Sequence, residues 1–384
     1  MKKASADFQI FVKPVGSMCN MACTYCYYLK NGSLHLGGNG GRMTEALLEE
    51  YIVQHINAST GPVIFFSWHG GEPTMTGLHY FERIVEIQRK HQPQDCRIMN
   101  GLQTNGTLLD DNWCRFLAAE GFVVGISIDG PEDLHSVYRH SVEGHSSFKE
   151  TLRGYELLKS HNVQCEILCV VNAVNVEDPL RIYRFFKSLQ CQFITFLPLV
   201  ERLPEGWKTV TESSVSAKAF GRFLCTIFDE WKASDIGTIK IQLFEEALRT
   251  AFNLEHTLCI FKETCGGVPV VERNGDFYSC DHFVDSQHLI GNIGQTPLVE
   301  LLESRRQIVF GLEKLYLMPL YCLNCEVRNM CNGGCPKDRF IKTPQGEPGL
   351  NYLCEGYKQF FKHCKPFVEE VAEVWRRETA DNRQ

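Results

Sequence analysis

Six short apolar runs recur through the first two hundred residues: FQIFVKPV (8–15), PVIFFSWH (62–69), RIMNGLQT (97–104), FVVGISID (122–129), QCEILCVV (164–171) and FITFLPLV (193–200). They are rich in β-branched and aromatic side chains, as strands buried on both faces of a parallel sheet are. Helical patterns fill the gaps, at 44–56, 78–91, 109–120, 147–160 and 178–189, with Thr44 placed as an N-cap. Six strand–helix repeats are too many for a small sandwich. They predict an α/β fold, a partial (β/α)6 TIM-like barrel. Two more helical stretches, near 214–232 and 240–253, finish this part of the chain.

The texture changes near residue 256. Between about 258 and 355 lie eight of the eighteen cysteines, the apolar runs shorten, and PVVERNGDFYSCDHF (269–283) reads as a hairpin around Asn274 and Gly275. An amphipathic helix over roughly 355–377 closes the chain. The expected division is therefore a barrel over 1–255 and a cysteine-rich domain over 256–384, a length that two domains suit. LHLGGNGGRM (34–43) is glycine-rich but neither follows a strand directly nor shows a phosphate-loop pattern, so it reads as a flexible loop. Net charge is −7, which argues against a general nucleic-acid binder. No stretch approaches a membrane-spanning length, and the first fifteen residues lack a signal-type apolar core, so a soluble cytoplasmic protein is expected. In that compartment eighteen cysteines point to metal or redox ligands before disulfides.

Cys19, Cys23 and Cys26 share one loop, spaced C-x3-C-x2-C, directly after the first strand. A closed zinc site wants four protein ligands. Three thiolates instead suit three irons of a [4Fe–4S] cluster, leaving the fourth iron open to a small-molecule chelate. Active sites of such barrels lie at this end of the strands. The later pattern is Cys259-x5-Cys265, Cys280, then Cys322-x2-Cys325-x5-Cys331-x3-Cys335, and Cys354. Eight thiolates make two sets of four, and soft ligands alone do not choose between zinc and iron–sulfur.

The C-x3-C-x-aromatic-C loop, with Tyr25 before its last cysteine, resembles the radical S-adenosylmethionine superfamily. The resemblance implies S-adenosylmethionine chelated to the open iron and cleaved to a 5′-deoxyadenosyl radical. It places Gly70, Gly71 and Glu72 of HGGEP at the methionine amino group. Tyr25, Gln103 and Asn105 join the cofactor-binding set. Ser127 and Asp129 of SIDGP are assigned to the ribose or carboxylate, and Arg139 to the carboxylate. The later cysteines resemble the SPASM extension, with two auxiliary [4Fe–4S] clusters. The first would use Cys259, Cys265, Cys280 and Cys335, the second Cys322, Cys325, Cys331 and Cys354.

Within that group the chain is similar, nearly end to end, to the anaerobic sulfatase-maturating enzymes, through IFVKPVGSMCNMACTYCYYL, GGEPT, LQTNGTLLDD, GISIDGP, YSCDHFV, CNGGC and LNYLCEGYKQFF. That resemblance implies oxidation of a cysteine or serine in a C/S-x-P/A-x-R motif of a sulfatase to Cα-formylglycine, with flavodoxin or ferredoxin as reductant. It makes Asp281 the base and Tyr28 the residue orienting it. His69 and His282 read as local hydrogen-bonding groups. Cys96, Cys114, Cys165, Cys169, Cys191, Cys225 and Cys364 read as packing thiols. Two rival readings stay open: another SPASM enzyme acting on a different peptide, and a non-catalytic iron–sulfur or zinc protein.

Overall fold

The computed structural model describes residues 2–28, 41–203 and 210–381. The loop expected over 34–43 lies, but for its last three residues, outside the described ones. The strands are β1 (Phe11–Val12), β2 (Val63–Trp68), β3 (Arg97–Thr104), β4 (Val123–Ser127), β5 (Gln164–Val171), β6 (Phe193–Pro198), β7 (Lys240–Ile241), β8 (Val270–Val271), β9 (Asp276–Tyr278) and β10 (Leu289–Asn292). The helices used below are α1 (Glu45–Ala58), α2 (Leu78–His91), α3 (Asp111–Ala119), α4 (Phe148–Ser160), α5 (Pro179–Ser188), α6 (Ala217–Ser234), α7 (Gln242–Arg249), α8 (Arg305–Tyr316) and α9 (Cys354–Asp381). Two compact units emerge: Met1–Ile128 with His135–Glu166 and Gly266–Leu312, and Asp129–Leu134 with Ile167–Cys265 and Glu313–Gln384.

In the first unit β1 to β4 run parallel, with Val12 opposite Trp68, Trp68 opposite Leu102 and Gln103 opposite Gly125. The alternation along β3 is the period-two pattern of a sheet with two unlike faces. Asn100, Leu102 and Thr104 are buried, while Gly101 and Gln103 are partly open. Asn100 pins strand to helix. Its Oδ1 accepts from the Trp68 indole (2.9 Å) and the Gln88 amide (2.9 Å), and its own amide donates back to Gln88 (2.9 Å). On the other side of β1, β8 adds a parallel strand, then β9 and β10 follow antiparallel. The hairpin turns at Gly275, whose φ of +88° suits a residue without a Cβ. The sheet is therefore mixed, where strand–helix repeats alone predicted parallel strands. Thr44 caps α1 as expected, accepting the Leu47 N–H at 3.3 Å.

In the second unit β5, β6 and β7 are parallel. The helical stretch expected over 240–253 starts two residues late. Lys240 and Ile241 extend instead as a seventh parallel strand, with the Lys240 N–H on the Gln192 carbonyl at 2.8 Å. Ile239 and Ile241 are buried, and two β-branched residues on either side of one lysine follow strand spacing. Helices α6 and α9 approach until backbones touch: a Cβ on Gly356 would lie 2.2 Å from the Ala217 carbonyl oxygen. Phe228, Trp231, Phe244 and Phe360 fill the core beside that crossing. Among the described residues no helix is long and apolar enough to cross a membrane.

Asn100→Leu strands the Trp68 and Gln88 donors in the interior. Each orphaned group costs about 1–3 kcal/mol, so the variant unfolds at clearly lower urea than wild type, whereas Asn112→Leu on the surface of α3 stays close to it.

Candidate active site

The three-cysteine loop is held by backbone contact rather than by its own regular structure. The Gly71 N–H donates to the Gly16 carbonyl and the Glu72 N–H to the Met18 carbonyl, both at 2.8 Å. The approach leaves no room for a side chain: a Cβ on Gly71 would sit 1.9 Å from the Met18 oxygen, and one on Gly70, at φ +112°, 2.6 Å from the Gly16 oxygen. These two glycines were expected to admit a ligand. In the structure, what they admit is the cysteine loop itself. The other edge of the loop pairs with the segment carrying Arg139, through Ala22 N–H to His140 O (2.8 Å) and Thr24 N–H to Tyr138 O (3.0 Å). Arg139 stands over the Tyr25 ring, 5.5 Å from its centroid.

Glu72 is fully buried and fully engaged. One oxygen accepts from the Thr74 N–H (3.0 Å), the Thr74 hydroxyl (2.6 Å) and the Thr104 hydroxyl (2.7 Å), the other from the Asn105 N–H (2.7 Å). Burial raises its carboxyl above the usual range, with the four hydrogen bonds opposing. Its carboxylate thus braces the loop after β3. Asn105, so placed, donates to Cys19 Sγ (3.7 Å) and Asn20 Oδ1 (2.9 Å). Gln103 donates to the Ser127 hydroxyl at 3.2 Å, so those two candidates do meet. Asp129 falls in the other unit, wholly buried, with Oδ1 on the Val170 N–H at 2.9 Å. Its carboxylate secures β5.

Asp281 is held by two phenols and an ammonium. Its Oδ2 accepts from Tyr28 (2.6 Å) and Tyr27 (2.5 Å), and its Oδ1 lies 2.7 Å from the Lys13 ammonium. Lys13, 2% exposed, also binds Glu272 Oε1 at 2.8 Å and stands 4.6 Å above the Tyr28 ring. Burial works to raise the Asp281 carboxyl, but the charges of Lys13 and His282 and the bonds from Lys13 and Tyr27 outweigh it. The group is held well below the ordinary carboxylate range and is ionised at neutral pH. Burial and the Asp281 charge push both phenols well above their usual value, so each stays a donor. Beyond its ion pair with Lys13, Oδ1 has no hydrogen-bond partner, which leaves a lone pair for an incoming donor. Tyr28 was anticipated. Tyr27, Lys13 and Glu272 were not, although the CYY doublet and a lone lysine in an apolar strand were visible signals.

Residues 14–186 match the model of the radical SAM superfamily. A serine-type anaerobic sulfatase-maturating enzyme of Bacteroides thetaiotaomicron is 43% identical over 94% of this chain and 90% of its own. The chain belongs to the anaerobic sulfatase-maturating enzymes. A cysteine-type member from Clostridium perfringens is 33% identical over 94% of this chain and 98% of its own. The solved structure of native anSMEcpe with bound AdoMet and the Cp18Cys peptide superposes with a TM-score of 0.87 at 32% identity, covering 96% of this chain and 100% of that one. Streptococcus suis SuiB, bound to its precursor peptide SuiA, shares the fold at a TM-score of 0.65 and 14% identity, over 92% of this chain and 77% of that one.

In this family member the thiols are neighbours that burden one another. Burial pushes the Cys19 thiol up to about 12. The Met21 N–H opposes that, and the charges of Glu72, Cys23 and Cys26 add to it. In the second unit burial takes Cys331 to about 12, and the charges of Cys354, Cys322 and Cys325 contribute. Cys354 opens α9, where a helix N-terminus favours anionic ligands. Cys259, Cys265 and Cys335 surround the buried Lys314, which donates to the Cys259 and Ile260 carbonyls at 2.8 and 2.9 Å. No sequence signal marked that lysine. Cys280 lies in the first unit beside Asp281. Among the described residues no three such side chains stand close enough to hold a metal ion as drawn. The donor chemistry nonetheless fits, because a cation removes the mutual repulsion that raises these thiols.

Gly71→Ala forces its Cβ into Met18. Overpacking of this kind costs about 1–3 kcal/mol. Iron bound per chain after anaerobic reconstitution drops, and the thermal midpoint falls with it. Gly61→Ala, which like Gly71 has no positive φ but whose Cβ meets nothing closer than 3.8 Å, gives the control and keeps its iron.

Proposed function

We propose that this chain oxidises a peptidyl cysteine or serine of a sulfatase to Cα-formylglycine in the cytoplasm. Its reductant is a flavodoxin or ferredoxin, and its target motif is C/S-x-P/A-x-R. The observation that carries the reading is Asp281: an ionised, buried carboxylate with one oxygen anchored by two phenols and the other open to a donor. Residues 1–255 would form the catalytic barrel and 256–384 the cluster-bearing extension. Cys19, Cys23 and Cys26 would hold the S-adenosylmethionine cluster. Cys259, Cys265, Cys280 and Cys335 would hold one auxiliary cluster and Cys322, Cys325, Cys331 and Cys354 the other.

When bound, S-adenosylmethionine and its cluster supply the radical that removes a hydrogen from the substrate Cβ. The chain's own contribution is proton handling and placement. Asp281 Oδ1 accepts the thiol or hydroxyl proton of the target residue. Tyr27 and Tyr28 hold Oδ2 in place, so that one oxygen of the base is already anchored when the substrate arrives. Tyr25, Arg139, Gln103, Asn105, Ser127 and Asp129, together with Gly70, Gly71 and Glu72 packed against the cysteine loop, supply the walls and donors for the cofactor.

The test is a mass spectrum of the anaerobically reconstituted enzyme with S-adenosylmethionine, dithionite and a C-x-P-x-R peptide. Wild type yields the aldehyde peptide together with 5′-deoxyadenosine. Asp281→Asn keeps the shape but not the base, and aldehyde formation falls by about 100-fold or more. Deoxyadenosine accompanied by an unmodified peptide, with the serine peptide also inert, rejects the formylglycine reading.

A further inference from the structure

We propose that Lys13 is a positioning residue for the oxidation, with Glu272 as its anchor: the buried ammonium fixes the plane of Asp281 so that the open lone pair of Oδ1 faces the substrate. The proposal rests on the reading of Asp281 as the base.

Strand pairing builds the device. β1 and β8 run parallel with Val12 opposite Val271, and the Lys13 N–H binds the Val271 carbonyl at 2.9 Å. Lys13 and Glu272 are therefore the next pair along, one on each strand. The Glu272 N–H closes the hairpin on the Asp276 carbonyl at 2.9 Å, and the chain returns through β9 to Asp281. An ammonium carries three donors. Here Glu272 Oε1 (2.8 Å) and Asp281 Oδ1 (2.7 Å) take two directions, and the Tyr28 face lies 4.6 Å away in a third. No direction is left for drift.

Stability alone is a poor reason for this arrangement. Lys13 is 2% exposed and Glu272 3%. Desolvating such ions costs several kcal/mol each, and a well-packed apolar trio commonly does as well or better. An ion that touches the base, the base's phenol partner and a second carboxylate is instead placed to set orientation. Tyr27 and Tyr28 both bind Oδ2. They leave the carboxylate free to swing about that oxygen, and Lys13 on Oδ1 stops the swing.

The experiment compares wild type, Lys13→Met, Glu272→Gln and the double variant as reconstituted holoenzymes, each matched for iron content and melting midpoint. The readouts are aldehyde formed per 5′-deoxyadenosine released, and kcat and KM for the peptide. If wild type forms no aldehyde, the functional reading fails before Lys13 is addressed. In that case a crystal structure of Lys13→Met decides the present proposal: an Asp281 side chain turned from its wild-type rotamer supports it, and an unmoved one overturns it. With an active wild type, Lys13→Met lowers the aldehyde-to-deoxyadenosine ratio at least about tenfold through kcat, with KM little changed, as loss of an interaction used in the reacting state predicts. Glu272→Gln, which keeps the ammonium, lowers the ratio by a smaller factor, and the double variant is no worse than Lys13→Met, since the two act as one unit. A wild-type ratio in Lys13→Met overturns the proposal. So does a loss in KM alone, or full additivity in the double variant. Should Lys13→Met fail to fold, Glu272→Gln carries the test: an unchanged ratio there overturns the proposal.

Discussion

An ionised carboxylate buried to 6% exposure is sustained only by compensation, and the first unit supplies it from three directions. Asp281 leans on an ammonium from the end of β1 and on two phenols from the cysteine loop. Each partner arrives on a different segment. The loop must therefore hold its shape, β8 must pair with β1, and the β8–β9 hairpin must return to the same corner. The parallel and antiparallel parts of the mixed sheet are both needed to bring these groups within 3 Å of one carboxylate.

The cysteine loop depends on a second constraint, the absence of two side chains. Gly70 and Gly71 press their backbone onto Gly16 and Met18, and Glu72 ties the loop after β3 to the same knot through the Asn105 N–H. Asn105 then passes the tie to Cys19 and Asn20. Three motifs that are separate in sequence become one hydrogen-bonded assembly.

Much of this was legible in the chain. The six apolar runs became strands within a few residues of their expected ends, because β-branched runs between polar turns leave few alternatives. The cysteine spacings and Asp281 were also readable. Sequence reasoning failed where a residue's partner lies far along the chain. The bracing role of Glu72 went unseen, since nothing local reveals that Thr104 and the Asn105 N–H converge on it. Nor does the SIDGP motif reveal that Asp129 Oδ1 accepts the Val170 N–H. The brief strand β7 was hidden because two residues carry no period of their own. Lys13, Tyr27 and Lys314 were missed for a related reason: a buried cation or a second phenol is recognised by what surrounds it, and that surrounding is tertiary.

The pairing of Lys13 with Glu272 spans 259 positions. Contacts of such range form late, after a large closure entropy has been met. During synthesis the ammonium of Lys13 emerges from the ribosome long before either of its counter-ions. Strands β1 to β4 are then present with their proton-handling corner empty, and the corner closes only once the hairpin has been made. The nascent chain thus carries its cysteine loop for most of translation without the carboxylate beside it, and the order of the sequence separates the two in time.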